Sequence, residues 1–408
     1  MMRRGVGLLV IAAALAVPAA ARADDFGKML EKFGKDTLKK QLSKENLERT
    51  LAPHALNADV YTVRTADGWT LVAHRYRSAG PAQPGALPII LCHGLSYNAL
   101  FWDLDPACSL ADYLARQGYD VWSVSLRGCG LSQKWVWQVE SAPTLVLGGT
   151  IRRVTGGKLA PTGYATVDPK FANWTLDDHI MYDVPAFVHL VKHHTGAKEV
   201  VWVGHSMGGI IAIAHLTRYQ NPGIAKLVTV GSQVTMPNGQ LFLEFLNELI
   251  KARQMELNGK LDKKELAARV RQSINNMFFN EQHVSPQVYE ALTTWANDVP
   301  SIGLLQQYAV LATKNELWDA KGQFNYARNL PNVTVPMLIT CGEADQLAPP
   351  VVQKYLYDNV GSQQKALVYF GRTHGFAVNA GHNDALVGLT SRQQVYPVIE
   401  RWIRTGRP

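Results

Sequence analysis

The sequence has little of what marks several large protein classes. Cysteine occurs only four times in 408 residues, at positions 92, 108, 129 and 341, too far apart for the paired spacings of a zinc site or a disulfide-dense scaffold. Charged residues make up 18% of the chain against 47% hydrophobic, which is a globular balance and not a disordered one. No internal repeat and no low-complexity tract interrupts it. The net charge is +8, yet no basic patch forms. In "KDTLKKQLSK" and "LDKKELAARVR" the cations alternate with acidic and apolar residues at helical spacing, as on solvated helix faces, so no nucleic-acid partner is expected.

Long apolar runs are missing as well, apart from one at the start. "MMRRGVGLLVIAAALAVPAAARADD" carries Arg3 and Arg4, an apolar run from Val6 to Val17, and Ala21-Arg22-Ala23 as a small-x-small site. That run is shorter than the roughly 20 residues a spanning helix needs. Residues 1–23 therefore read as a cleaved secretory signal, and Arg3-Arg4 is compatible with a twin-arginine route. The expected product is exported, periplasmic or secreted. Export permits disulfides, but Cys92 and Cys341 each end a strand-like run and read as buried free thiols. The pairing of Cys108 and Cys129 stays open.

What is present is an alternation. Residues 24–55 have apolar positions at three- and four-residue intervals, predicting helix. "VYTVRTADGWTLVAHRYR" alternates on both sides of Ala66-Asp67-Gly68 as a hairpin would. Short Val/Ile/Leu-rich runs then alternate with helical stretches, from "LPIILCHG" to "IAKLVTVGS", and again from "VPMLITCGEAD". Strands apolar throughout and separated by helices imply a mostly parallel sheet covered on both faces, an α/β fold. The core is expected over 56–232 and 336–408. Residues 131–171 form an insertion within it, carrying Trp135, Trp137 and a glycine-rich loop, and 233–335 form an inserted helical cap. Phe242, Phe245, Leu246 and Leu249 lie at helical spacing in that cap.

Gly204-His205-Ser206-Met207-Gly208 fits GxSxG between a strand-like and a helix-like run, the context of a nucleophile elbow. Glycines at 204 and 208 permit a turn in which a Cβ would clash. The turn projects the Ser206 hydroxyl from the sheet edge, with the Met207 N–H aimed at the same point. A serine hydroxyl needs a base oriented by a carboxylate, and both should follow it in the chain. Asp345, just beyond the strand "PMLITCG", is the candidate acid, with Glu343 as the alternative. His374 and His382 compete for the base, and spacing does not decide between them. The second oxyanion donor is expected from "ILCHGLSYN", as the Leu95 N–H. His93, His205 and the pair His193-His194 read as structural.

These residues resemble the acid lipase family of α/β-hydrolases, which includes gastric and lysosomal lipases and bacterial relatives. The matching stretches, including "YTVRTADGWTLVAHR", "LCHGL", "VGHSMGG", "GEADQLAPP" and "HNDALVGLTSRQQVYPVIERW", run in family order between Val60 and Trp402. The resemblance implies an α/β-hydrolase fold with an inserted cap and a catalytic Ser206, Asp345 and histidine. In this family the base stands in an H-x-D segment with Val-Tyr thirteen residues on, which His382, Asp384, Val395 and Tyr396 reproduce. His382 is therefore the expected base. His374 is then expected to line the pocket or pack the loop, and Asp384 to fix local structure. "SLRGCGLSQ" departs from the acid lipase form, the loop before His382 is longer, and the cap matches poorly. Reaction class is thus better defined than substrate.

The expected activity is hydrolysis of a small-molecule or lipid carboxylic ester through an acyl-enzyme, requiring no cofactor and no metal. The cap offers apolar faces for acyl chains or for transient contact with a lipid surface, and no obligate protein partner is evident. Rival readings are an acyltransferase, a polyester-acting hydrolase or an amidase on the same scaffold, and a non-catalytic binding protein.

Overall fold

A computed structural model describes residues 58–133 (except 82 and 84), 137–140, 164–167, 173–247 (except 221, 238, 241 and 245) and 278–408 (except 299). The expected leader 1–23, the expected helix over 24–55, Trp135, the glycine-rich loop, Phe245, Leu249 and most of the stretch between them and Phe278 lie outside the described residues.

The main body is built on an eight-stranded sheet ordered β1-β2-β4-β3-β7-β8-β9-β10. β1 (Asp59–Arg64) and β2 (Thr70–Tyr76) form an antiparallel hairpin, and β2 runs antiparallel to β4 (Val121–Ser125). From β4 onward every pairing is parallel, through β3 (Ile89–Cys92), β7 (Val200–His205), β8 (Ile224–Val230), β9 (Met337–Gly342) and β10 (Lys365–Phe370). Parallel strands need crossovers, and helices supply them. They are α1 (Leu110–Arg116), α2 (Val184–Thr195), α3 (Met207–Arg218) and, after β9, α6 (Pro350–Asn359). β3, β4, β7 and β9 are buried at every position, which is why their sequences are apolar without alternation.

Between β8 and β9 the described chain is helical. α4 (Pro286–Thr294) and α5 (Ile302–Lys314) begin at Ser285 and Ser301, whose hydroxyls accept from the Val288 and Leu304 N–H groups, satisfying donors that a helix leaves unpaired. Phe242 and Leu246 of this insertion are buried. After β10 come α7 (Asp384–Val387), α8 (Ser391–Gln394) and the amphipathic α9 (Tyr396–Thr405).

Residues 1–46 and 135–172 cluster as a unit of their own. Its described part is an antiparallel ladder of β5 (Trp137–Glu140) and β6 (Tyr164–Val167). Cys92, Cys108 and Cys341 are free thiols, and all four cysteines are buried. Burial pushes the Cys108 thiol up to about 12 and those of Cys92 and Cys341 well above their ordinary value.

Candidate active site

β7 ends at His205 and α3 begins at Met207, so Ser206 alone makes the turn. A one-residue reversal forces its backbone to φ 49°, ψ −118°, a region that residues with a Cβ seldom occupy. Hydrogen bonds to its neighbours hold it there: the Ser206 N–H donates to Val230 O at 2.8 Å, and Ser206 O accepts from Ser232 Oγ at 2.9 Å and from the Gly209 and Ile210 N–H groups at 3.0 Å. Glycine is required on both sides. A Cβ at Gly204 would stand 2.3 Å from Gly209 N, and one at Gly208 would stand 2.2 Å from Cys92 O.

Asp345 and His382 come from two further loops at the same sheet edge. Asp345 lies three residues past β9, and its Oδ1 accepts from the Leu347 and Ala348 N–H groups at 2.9 and 2.8 Å. His382 follows β10 and is fixed by its neighbours. The Asn383 N–H donates to Phe278 O, Asn383 Nδ2 donates to Tyr97 Oη, and Asp384 accepts from the N–H groups of Gly381 and Asn280. Asp384 is thus a local brace, its own carboxyl raised by burial. His382 Nδ1 lies 2.8 Å from Asp345 Oδ2, with both residues almost wholly buried. With Nδ1–H given to the carboxylate, Nε2 keeps its lone pair. That nitrogen finds no hydrogen-bond partner among the described residues.

Ser206 and His382 line one narrow cavity of about 10 Å³, room for about one water molecule. Leu95, Tyr97, Gln233 and Tyr308 also line it, with Phe242 and Phe278 among its apolar residues. The Gly94–Leu95 backbone lies against the serine, since a Cβ on Gly94 would approach Ser206 Cβ to 3.1 Å. Met207 is the first residue of α3, so its N–H has no acceptor within the helix.

Two of the other histidines, His93 and His205, are buried braces. His93 Nδ1 donates to Gly94 O at 2.8 Å and its Nε2 accepts from the Leu126 N–H at 3.1 Å, and burial lowers its pKa to about 4. His205 stacks on Phe101 at 4.6 Å and reaches His382 O with Nε2 at 3.2 Å. Burial and the adjacent His382 hold it well below the usual range. His193 and His194 sit in the last turn of α2.

Of the two expectations for His374, it does not line this cavity; it packs within its own loop, its ring centroid 5.3 Å from that of Tyr369. It ends a short 3₁₀ turn, Arg372–His374, with its side chain 45% exposed. Its Nδ1 lies 2.9 Å from Thr373 Oγ1 and 3.9 Å from Glu343 Oε2. Glu343, the alternative acid, is thereby engaged with Thr373 and His374 and not with His382. Residues that sequence reasoning passed over complete the site. Gly231, at φ +62°, packs beneath the Asp345–His382 pair, where a Cβ would meet both residues at 3.0 Å. Gln233 and Tyr308 reach the cavity from the loop after β8 and from α5. The position of Gly231 and Gln233 directly after a strand that ends at this edge was their one available signal.

A parallel sheet with a strained serine between strand and helix, facing a buried histidine–carboxylate pair, defines the α/β-hydrolase class. A family model described as alpha/beta hydrolase fold matches residues 88–388, and the chain belongs to that family. Among individual proteins it is similar to lipase member K of Homo sapiens, 29% identical over 45% of this chain and 40% of that one. It is also similar to gastric triacylglycerol lipase of Mus musculus, 28% identical over 50% of this chain and 45% of that one. The chain thus spans less than half the length of these relatives. Among solved structures it is similar in fold to a thermophilic esterase from Thermogutta terrifontis (16% identity, 86% of this chain and 100% of that one, TM-score 0.53). An esterase from Exiguobacterium antarcticum is comparable (17% identity, 84% and 99%, TM-score 0.52).

Proposed function

We propose that the chain is an exported serine hydrolase, periplasmic or secreted, that cleaves carboxylic esters through an acyl-enzyme. Ser206 Oγ attacks the ester carbonyl while His382 Nε2 takes its proton. Asp345 keeps the imidazole in the tautomer with Nδ1–H and stabilises the imidazolium. The N–H groups of Leu95 and Met207 receive the developing oxyanion. His382 returns the proton to the leaving alcohol, then activates water to release the acid. The observation that carries this reading is the buried 2.8 Å contact of His382 Nδ1 with Asp345 Oδ2, its Nε2 unpaired beside the strained Ser206. The lipases and esterases that the chain resembles support the ester bond as the target. Ile210, Met236, Phe242 and Phe278 give the cavity an apolar wall against which an acyl chain can lie. Among the described residues no helix is long and apolar enough to cross a membrane.

The test is hydrolysis of p-nitrophenyl esters from acetate to palmitate. Ser206→Ala and His382→Ala should lose several orders of magnitude in kcat/KM, and His374→Ala should keep the activity. A folded wild-type protein that turns over none of these esters would remove the main support for the reading.

A further inference from the structure

Two polar side chains in the Ser206 cavity have no role in the chemistry above. Tyr308, 4% exposed on α5, and Gln233, 3% exposed on the loop after β8, both line it. Tyr308 Oη and Gln233 Oε1 are buried and find no hydrogen-bond partner among the described residues. Each such atom costs the fold a desolvation penalty that no hydrogen bond offsets. Phenylalanine and leucine would fill the same space without that cost, and the rest of the wall shows that apolar residues suit it: Ile210, Met236, Phe242 and Phe278.

Resting on the hydrolase reading, we infer that Gln233 and Tyr308 form a polar subsite for a hydroxyl group carried by the substrate within a few bonds of the scissile ester. The chemistry of the pair selects the hydroxyl. Gln233 Oε1 only accepts, whereas Tyr308 Oη donates and accepts, so a group that gives one proton and receives another satisfies both. A plain acyl chain satisfies neither and leaves both unpaired. The narrowness of the cavity brings this subsite close to Ser206 and His382, so the hydroxyl must lie near the bond that is cut. A site built to hydrogen-bond a hydroxyl rejects the analogue lacking it far more strongly than an apolar pocket rejects a missing methylene. The class of substrate is therefore a hydroxylated ester, with the hydroxyl on the acyl or on the alcohol side.

Two matched pairs of esters distinguish the sides: p-nitrophenyl butyrate against p-nitrophenyl 3-hydroxybutyrate, and propyl butyrate against 1-monobutyrin. The wild-type protein should favour the hydroxylated member of at least one pair by tenfold or more in kcat/KM. Tyr308→Phe and Gln233→Met should each cut the ratio of kcat/KM between the hydroxylated and the plain member at least fivefold. Equal turnover within both pairs by the wild-type protein would overturn the inference without any variant having to fold. So would variants of unchanged melting temperature that keep the preference or lower both members equally. Failure of the hydrolase reading looks different, because then neither member of either pair is cleaved in a manner that Ser206→Ala abolishes.

Discussion

Replacing His93 by glutamine tests how buried imidazoles make the fold sensitive to acid. In the native state His93 is neutral by geometry: Nδ1 donates to Gly94 O, and Nε2 accepts from the Leu126 N–H. A second proton would set a donor against a donor inside the core, and burial, only partly offset by the Gly94 hydrogen bond and nearby carboxylates, lowers its pKa to about 4 from 6.5. Because the native pKa is the lower one, the unfolded chain binds the extra proton between pH 6.5 and 4. Stability is then complete above 6.5 and is lost as the pH falls toward 4. A drop from 6.5 to about 4 is worth about 3 kcal/mol per histidine. His74 and His215, also lowered by burial to about 4, act in the same window. Together the three approach the whole stability of a typical domain, about 5–15 kcal/mol. Glutamine can offer a donor and an acceptor without titrating. Urea unfolding at pH 7 and pH 4.5 should show the wild-type protein losing most of its stability between the two, and His93→Gln losing about 2–3 kcal/mol less. An unchanged urea midpoint at pH 4.5, or a His93→Gln protein with the wild-type pH dependence, would refute the reasoning.

Other consequences concern the elbow, the triad and a buried ion network. Gly208→Ala drives a methyl to 2.2 Å from Cys92 O, and overpacking against backbone should cost about 3 kcal/mol or more, read as a fall in melting temperature with loss of esterase activity. Asp345→Asn preserves shape but favours the wrong imidazole tautomer. It should lower kcat by about 10⁴ with little change in KM, and near-wild-type turnover would remove Asp345 from the mechanism. Arg127, 1% exposed, donates to Asp183 and Asp67. Burial opposes the Asp183 charge, but Arg127 and His179 outweigh it and lower its pKa. Arg127→Met should therefore destabilise by about 3–5 kcal/mol, measured by urea unfolding at pH 7, and Asp183→Asn added to it should recover part of the loss.

The parts of the site visible in the sequence are those imposed by local geometry. The turn at Ser206 needs glycine at 204 and 208 because backbone lies within 2.5 Å of either would-be Cβ, so the constraint is written in five consecutive residues. The apolar runs of β3, β7 and β9 are legible because both of their faces are buried. The histidine was less legible. His374 and His382 both follow β10, and only resemblance separated them. The physical difference is tertiary: the 3₁₀ turn at Arg372–His374 leaves His374 with Glu343 at the surface, whereas the chain returns through Ala380, whose O accepts from the Ala344 N–H, and delivers His382 to Asp345. Gly231 and Gln233, on the loop after β8, and Tyr308, on α5, meet the site from two separate segments. No spacing within any one of those segments encodes their convergence.

The central claim is that Ser206, activated by His382, is the nucleophile. Its most direct measurement is to treat the protein with a fluorophosphonate and locate the adduct by peptide mass spectrometry. One adduct on Ser206, with ester turnover falling in step with labelling and no adduct in His382→Ala, is the predicted result. An adduct on another residue, or full ester turnover by Ser206→Ala, would contradict it.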